Sequence, residues 1–472
     1  MTHKTFITTI LPLKLEWEPW YYSPEELPVG TRVKVRCAGR VYTAVVSGAG
    51  GTPDIPEDKI QEILSVETVL EPITPEEIRL WRFIADYYLC TVGEVYKAAY
   101  PAMKQTAEGK KPRRKADLEN GNLVSETIRF EDDKPLLLVG TDREPIYRGM
   151  IRKTLAEGKD VLMLSPGAQT LSFPQIRDLA QAVRRRDSEP RLVYGRRPLL
   201  FLPFAKLGLV IIDEEQDVTY KQESPAPRYN GRDVAVYLAS LHGASVILGS
   251  ACPSLESLLN VRSGKYSLLR CPDAPAPLEV IDTGEERRKR GMEGDYSKKL
   301  LARKAEIEAA GGKMLILESW ELGNTSKLKL DKVDALAVLH FEVLLARPGF
   351  RSDEKAMQLI AKLRSACRRL IIQTADASHP VFSGDADALL EERKAFQLPP
   401  YTRQVDLRIE DTNEARLAKM TRELERRFGS LHLYLPKDRG LAAAKKEIAR
   451  KLRAFEEEFR YTGHIVPDVD PL

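Results

Sequence analysis

The chain has 472 residues, 43% hydrophobic and 30% charged, a balance that fits folded domains and excludes an intrinsically disordered chain. At this length roughly two to four domains are expected. The net charge of +4 identifies no partner by itself. The longest apolar runs, Leu207–Ile212 and Val333–Leu339, fall far short of the ~20 residues of a membrane helix. The N-terminal stretch, broken by Pro12, lacks a signal-peptide layout, so a cytoplasmic protein with no membrane partner is expected. Cys37, Cys90, Cys252, Cys271 and Cys367 are scattered without a CxxC pair, so no zinc site and no disulfide framework are expected.

Residues 1–72 read as a small β-rich module. FITTILPL, TRVKVRC and VYTAVVSG alternate or run β-branched between turn formers such as LPVGT and SGAGGTPD. Arg32, Lys34, Arg36 and Arg40 come without an acid between 32 and 42. Strand alternation predicts Arg32, Lys34 and Arg36 on one face beside Tyr42, a track suited to phosphates. Trp17, Trp20, Tyr21 and Tyr22 lie close by in sequence. Such rings either fill the core of the module or stack a base, worth ~1–3 kcal/mol.

A helical region is expected to start over 73–103. Thr74 caps, Pro75 suits the first turn and Glu77 completes a capping box. Leu80, Phe83, Ile84, Tyr87 and Tyr88 follow at helical spacing, and VGEVYKAAY predicts a second short helix. Residues 104–133 read as a linker that begins with the basic run KQTAEGKKPRRK.

From residue 134 the pattern changes. The strand-like KPLLLVG, KDVLMLSP, LGLVIIDEE and ASVILGSACPS alternate with helices in IYRGMIRKTLAEG, FPQIRDLAQAVRRR and RDVAVYLASLHG. Alternation of this kind predicts a parallel α/β lobe over 134–270. The segment 270–312 reads as irregular and charged. GGKMLILES, VDALAVLHF and a helix over 352–369 feeding LIIQTA predict a smaller α/β unit within 271–398. Residues 399–472 read as an α+β domain, with TRQVDLRIED, a helix over 413–428, LHLYLP, a helix over about 439–460 and the tail GHIVPDVDPL. The fold class is therefore multidomain α/β.

The most informative stretch is Leu207–Glu215, an apolar strand that ends in acids. It sets Asp213 and Glu214 at the carboxyl end of a parallel sheet, where α/β proteins form their ligand crevices. In nucleotide hydrolases the first acid holds magnesium and the second can orient water. Alone, such acids are also ordinary loop residues.

Their surroundings are more specific. Tyr220-Lys221-Gln222-Glu223, Arg228-Tyr229-Asn230-Gly231-Arg232-Asp233-Val234-Ala235 and Gly249-Ser250-Ala251-Cys252-Pro253-Ser254 follow in order. The series resembles the PriA (primosomal protein N′) family of superfamily 2 DNA helicases, where these motifs read DEEH, YKQE, RYxxRDVA and GSATPS. Pro28–Val35, Ala85–Val95, Pro399–Arg403 and Pro467–Pro471 extend the likeness to most of the chain. The resemblance implies a domain binding 3′ DNA ends, a winged-helix-like region starting over 73–103, RecA-like parallel α/β helicase lobes, the second of them reduced, and a C-terminal domain. It implies DNA as partner, at forks and single-stranded/double-stranded junctions, together with primosome or replicative-helicase-loading proteins. The DNA-binding residues it points to are Trp20, Arg32, Lys34, Arg36, Arg40 and Tyr42. Trp20 stands where the family carries an acid for the 3′ hydroxyl, so end recognition is not carried over.

The departures fall on the ATP site. A phosphate loop reads GxxxxGK[ST], with glycines that let N–H groups wrap phosphates, a lysine for their charge and a hydroxyl for magnesium. Here the strand Leu136–Val139 runs into Gly140-Thr141-Asp142-Arg143-Glu144-Pro145. Gly140, Thr141 and Arg143 are the degenerate remainder of that loop, and without a glycine-rich nest Arg143 is not expected to replace the lysine. The family's LVPEIxLT stretch lacks its glutamate in Leu164–Thr170, its paired zinc-binding CxxC clusters are absent, and Gln358–Arg368 replaces QxxGRxGR. Asp213 and Glu214 are then remnants of a magnesium site. The expectation is a DNA-binding replication-restart protein on a helicase-like scaffold, without ATPase or helicase activity and with no cofactor. The alternatives are an active ATP-dependent 3′–5′ DNA helicase using ATP and magnesium, and a protein–protein adaptor with weak DNA affinity.

Overall fold

The structure, a computed structural model, describes residues 4–101, 134–271, 275–324, 333–459 and 464–471. The expected linker over 104–133 lies outside the described residues.

The N-terminal module is a six-stranded sheet built from β1 (Thr5–Ile10), β2 (Trp20–Ser23), β3 (Arg32–Cys37), β4 (Arg40–Ala49), β5 (Gln61–Glu62) and β6 (Ser65–Val66), in the order β5-β2-β1-β4-β3-β6. Two residues, Ala38 and Gly39, turn β3 into β4, both at positive φ as a tight hairpin of this hand requires. Two helices close over the sheet, α1 (Pro75–Tyr88) and α2 (Val92–Ala99). Thr74 and Glu77 form the capping box of α1, and Thr91 and Glu94 form that of α2. At Gly93 a Cβ would come within 2.1 Å of the Leu13 carbonyl oxygen, so only glycine lets α2 sit this close to the chain leaving β1.

The next domain is a parallel sheet of six strands, β7 (Leu136–Val139), β8 (Asp160–Leu164), β9 (Leu192–Gly195), β10 (Leu207–Asp213), β11 (Ser245–Ser250) and β12 (Ser267–Arg270), ordered β12-β7-β11-β10-β8-β9. Helices α3 (Glu144–Ala156), α4 (Phe173–Val183), α5 (Gly231–His242) and α6 (Leu255–Arg262) connect the strands. Near-continuous apolar runs such as Leu209–Ile212 are buried because helices cover both faces of a parallel sheet.

The second lobe has four parallel strands, β13 (Leu278–Asp282), β16 (Met314–Glu318), β17 (Ala335–Leu339) and β18 (Leu370–Thr374), in the order β13-β18-β17-β16. Between β13 and β16 lie α7 (Thr283–Lys289), the hairpin β14 (Met292–Glu293) and β15 (Tyr296–Ser297), and α8 (Lys298–Ala309). Within the segment 270–312, where the sequence suggested an irregular stretch, residues 278–309 therefore form strands and helices. Its helices hide behind high charge, since most of their surface faces water and only residues such as Leu300 and Glu286 are buried. Helices α9 (Glu342–Leu345), α10 (Ser352–Ser365) and α11 (Ala386–Ala395) complete the lobe. The C-terminal domain packs α12 (Glu414–Phe428) and α13 (Leu441–Phe459) on an antiparallel sheet of β19 (Thr402–Glu410), β20 (His432–Pro436) and β21 (His464–Val469), ordered β20-β19-β21.

One apolar core crosses the domain boundaries. It runs from Ile10 and Val45 through Trp81 and Ile84 of α1 into Leu162, Val210 and Leu248, and reaches Val405, Leu424 and Phe455. Helix α1 is its hub. Phe83 stacks on Tyr237 of α5 at 3.8 Å, the Tyr88 hydroxyl donates to Asp233, and the Lys445 ammonium of α13 donates to the Tyr87 carbonyl at 2.6 Å. Trp81 is fully buried and stacks on Tyr96 at 5.2 Å. Trp81→Ala is expected to cost about 3–5 kcal/mol, the range for truncating a buried aromatic, read as a lower urea midpoint. A change below about 1 kcal/mol, the size of an ordinary surface substitution or little more, would show that α1 is not the hub.

Candidate functional site

The carboxyl ends of β7, β10 and β11 meet at one point, and an arginine fills it. Strand β7 ends at Gly140, whose N–H donates to the Ser250 carbonyl at 3.0 Å. Its φ of +138° turns the chain sharply, and α3 begins four residues later, with Arg143 at its N-cap. The loop is too short for a ring of N–H groups. Arg143 points inward and is 6% exposed. Its guanidinium donates to Asp213 Oδ1 at 2.9 Å and 3.2 Å, to Glu214 Oε1 and to the Gly140 carbonyl. Burial alone would lower the pKa of Arg143, but Glu214, Tyr147 and Asp213 together raise it above its ordinary value. The Tyr147 hydroxyl, one turn into α3, donates to Asp213 Oδ1 at 2.9 Å, and burial followed by the Asp213 charge pushes its pKa up. Gly249 makes room for this ring, since a Cβ there would fall 1.6 Å from the Tyr147 hydroxyl.

Glu214 lies at φ +49°, a left-handed conformation that costs a non-glycine residue about 1–3 kcal/mol. Its other carboxylate oxygen accepts from Gln216 Nε2 at 2.7 Å. The sequence marked Arg143 only as a loop remnant. Its role is legible only in space, because the partners are some seventy residues away, and Tyr147 gave no signal beyond its place on a helix.

The third acid, Glu215, does different work. It accepts from Ser254 N at 2.7 Å, Ser254 Oγ at 2.9 Å, Ser257 Oγ at 3.0 Å and Arg232 at 3.0 Å, and is buried. It ties the end of β10 to the loop after β11 and to the first turn of α5. Lys221, 4% exposed, pairs with Asp468 at 2.8 Å and donates to the Arg228 and Val469 carbonyls. Burial lowers the pKa of this lysine while Asp468 opposes the shift. The motif residues Lys221 and Arg228 thus anchor β21 to the first lobe. Arg364 donates to the Ala276 carbonyl at 2.6 Å and the exposed Arg368 pairs with Asp334 at 3.4 Å, so both serve the second lobe.

At the N-terminal module the expected basic track is shorter than the alternation suggested. Arg32 is 4% exposed, donates to the Glu71 carbonyl at 2.8 Å and lies 4.3 Å over the Tyr100 ring. It is a packing residue, because the segment carrying Tyr100 covers the strand face that alternation alone leaves open. Lys34 pairs with Glu67 at 3.2 Å, while Arg36 and Arg40 are exposed near the hairpin turn. Tyr42 sits directly opposite Val35 and packs on the module's core, so it lies on the other face from Lys34 and Arg36. Trp20 donates to Asp54 at 2.7 Å and its ring rests over Gly51, and Trp17 is exposed. The structure therefore keeps Lys34 and Arg36 on one face, sets Arg40, opposite Cys37, at the hairpin on the face of Tyr42, and buries Arg32. Among the described residues no group of three His, Cys, Asp or Glu side chains is placed to hold a metal ion. No described helix is long and apolar enough to cross a membrane.

Residues 9–101 match the family model of the PriA 3′ DNA-binding domain (3′BD), a span that takes in the β module together with α1 and α2. The replication restart protein PriA of Rickettsia conorii is 29% identical over 346 residues, covering 65% of this chain and 51% of that protein. The Bacillus subtilis PriA is 34% identical over 218 residues, 40% of this chain and 27% of that protein. The Chlamydia trachomatis PriA is 37% identical over 174 residues, 32% of this chain and 23% of that protein. Over these spans the chain is similar to PriA proteins. It matches about half the length of the Rickettsia relative and about a quarter of the other two. In this chain the strand β7 is followed by the turn Gly140–Arg143, without the second glycine and the lysine of a phosphate loop.

The arginine clamp makes a quantitative expectation. Arg143→Met leaves Asp213 and Glu214 facing each other without their cation, at a cost of about 3 kcal/mol, the low end for breaking a buried pair. Adding Asp213→Asn should recover part of that loss. Urea unfolding of the single and double variants measures the coupling, and additive losses would refute the clamp.

Proposed function

We propose that this chain is a DNA-binding replication-restart protein on a helicase-like scaffold that does not bind and hydrolyse ATP. The observation that carries this is the Arg143 guanidinium bonded to both Asp213 and Glu214. Magnesium with a triphosphate needs free carboxylate oxygens at about 2.1 Å and a cradle of N–H groups. Here Asp213 Oδ1 is taken by a permanent cation and a phenol, and the loop after β7 has neither the second glycine nor the lysine. The residues present do not fit the nucleotide.

DNA is the proposed partner, bound through the N-terminal module. The match to a 3′ DNA-binding domain supports this, as does the exposed Arg36 on the same strand face as Lys34. Forks and junctions are the proposed substrates, and proteins that load the replicative helicase are the proposed protein partners. The shared core of the N-terminal module, first lobe and C-terminal domain supports a fixed scaffold for such partners.

Two measurements on the purified chain test the proposal. ATP hydrolysis with saturating fork DNA is expected at the no-enzyme background, with no magnesium-dependent binding of a labelled ATP analogue. Fork binding, followed by fluorescence anisotropy, is expected to weaken as salt rises and to fall at least tenfold in Lys34→Glu/Arg36→Glu, through lost phosphate contacts. Turnover of ATP on forks would overturn the first half. Binding that ignores salt would overturn the second.

A further inference from the structure

Helix α8 starts against the ordinary electrostatic rule. Free N–H groups give a helix N-terminus positive character, so acids are favoured in its first turn and lysines are not. After the Ser297 cap, α8 opens with Lys298 and Lys299 and carries no acid in that turn. The preceding α7 obeys the rule, with Glu285 and Glu286 first and Arg287, Arg288 and Lys289 last. The β14–β15 hairpin between them folds the chain back, so the basic end of α7 meets the basic start of α8. A cleft of about 500 Å³ opens there, lined by Arg290, Lys298, Lys299, Ala302, Arg303 and Glu306.

Part of this charge is answered locally. Arg290 pairs with Glu286, Lys299 and Arg303 share Glu279 at 3.1 and 3.2 Å, and Arg303 also reaches Glu306 at 2.8 Å. The rest is not. Lys298 of the lining is exposed and has no carboxylate partner among the described residues; the same holds for Arg287 and Arg288 of α7, which lie outside the lining. Like charges gathered around a cleft at a positive helix end are stabilised by an anion. The lining has no aromatic ring and Ala302 as its one apolar side chain, so it offers a base nothing to stack on. That favours the repeating phosphates of a nucleic-acid backbone over a nucleotide.

We propose that this cleft of the second lobe is a further DNA contact, holding backbone phosphates without regard to sequence. The proposal rests on the DNA-binding function proposed above and adds a second point of attachment, on a different domain. The test is fork binding by the full chain between about 50 and 200 mM salt, where phosphate contacts dominate the salt dependence. Arg287→Glu/Arg290→Glu/Lys298→Glu should lower the affinity at least tenfold and flatten the plot of log K against log salt by about 0.9 per phosphate lost. The milder Arg287→Gln/Lys298→Gln, which keeps side-chain bulk and leaves the Arg290–Glu286 pair in place, should flatten it in the same direction by less. Its circular dichroism should match the parent. Unchanged affinity and slope in the variants, with the parent binding forks and Lys34→Glu/Arg36→Glu weakened, would overturn this inference alone. A parent chain that binds no fork at the lowest salt would overturn both. Stabilisation by inorganic phosphate that the variants lose while keeping full fork affinity would mark a small-anion site and also overturn it.

Discussion

The charge of Arg143 has no water to dissolve in, so it must be met by groups within hydrogen-bond reach. Those groups come from three separate elements. Gly140 closes β7, Asp213 and Glu214 end β10, and Tyr147 belongs to α3. Each constrains the next. The Tyr147 ring demands a glycine at 249 on β11, and the Arg143 bond to Glu214 helps to hold that residue in a left-handed conformation its own backbone disfavours. The crevice at the carboxyl edge of a parallel sheet is ordinarily where a ligand completes the structure. Here a side chain of the protein completes it.

The same solution recurs at the seams between domains. Lys221 and Asp468 join the first lobe to β21, and Glu215 joins β10 to the serines ahead of α6. Arg351 bridges Glu256 of α6 at 3.2 Å and Glu354 of α10, whose carboxylate also accepts from Leu255 N, so the two lobes share one buried network. Buried ion pairs of this sort contribute little net stability, because desolvation offsets most of their attraction. Breaking one by removing a partner is costly, so they fix register. The apolar core through α1 supplies the cohesion, and the charged seams decide how the parts sit.

Elements with a strong local signal were legible in the sequence. The capping box at Thr74 and Glu77, the strand Leu207–Asp213 with its acidic end, and the alternation of strands and helices from residue 134 all appear where local chemistry predicts them. The failures share a cause. Strand alternation shows that Arg32 and Lys34 share a face, but not that the segment carrying Tyr100 covers half of it. Nothing local pairs Arg143 with Asp213, Lys221 with Asp468, or Lys298 with the end of α7. Helices α7 and α8 were missed because a helix that faces mostly water carries little apolar periodicity to detect.

The arginine clamp and the missing loop act on nucleotide binding in different ways, and magnitudes separate them. Expelling Arg143 from its partners would cost a competing ligand about 3–5 kcal/mol, the range for breaking a buried pair. Since 1.4 kcal/mol is tenfold in affinity, that penalty alone weakens binding by roughly two to four orders of magnitude. It does not abolish binding, because a rearranged Arg143 could itself meet a phosphate. The loop is the harder obstacle. The turn offers few N–H groups to wrap phosphates: that of Gly140 donates to the Ser250 carbonyl, Pro145 has none, and Asp142 and Glu144 add negative charge beside the rest. No side-chain motion supplies a glycine nest. A single substitution at Arg143 therefore empties the crevice without making it a phosphate site, and the backbone between β7 and α3 sets the limit.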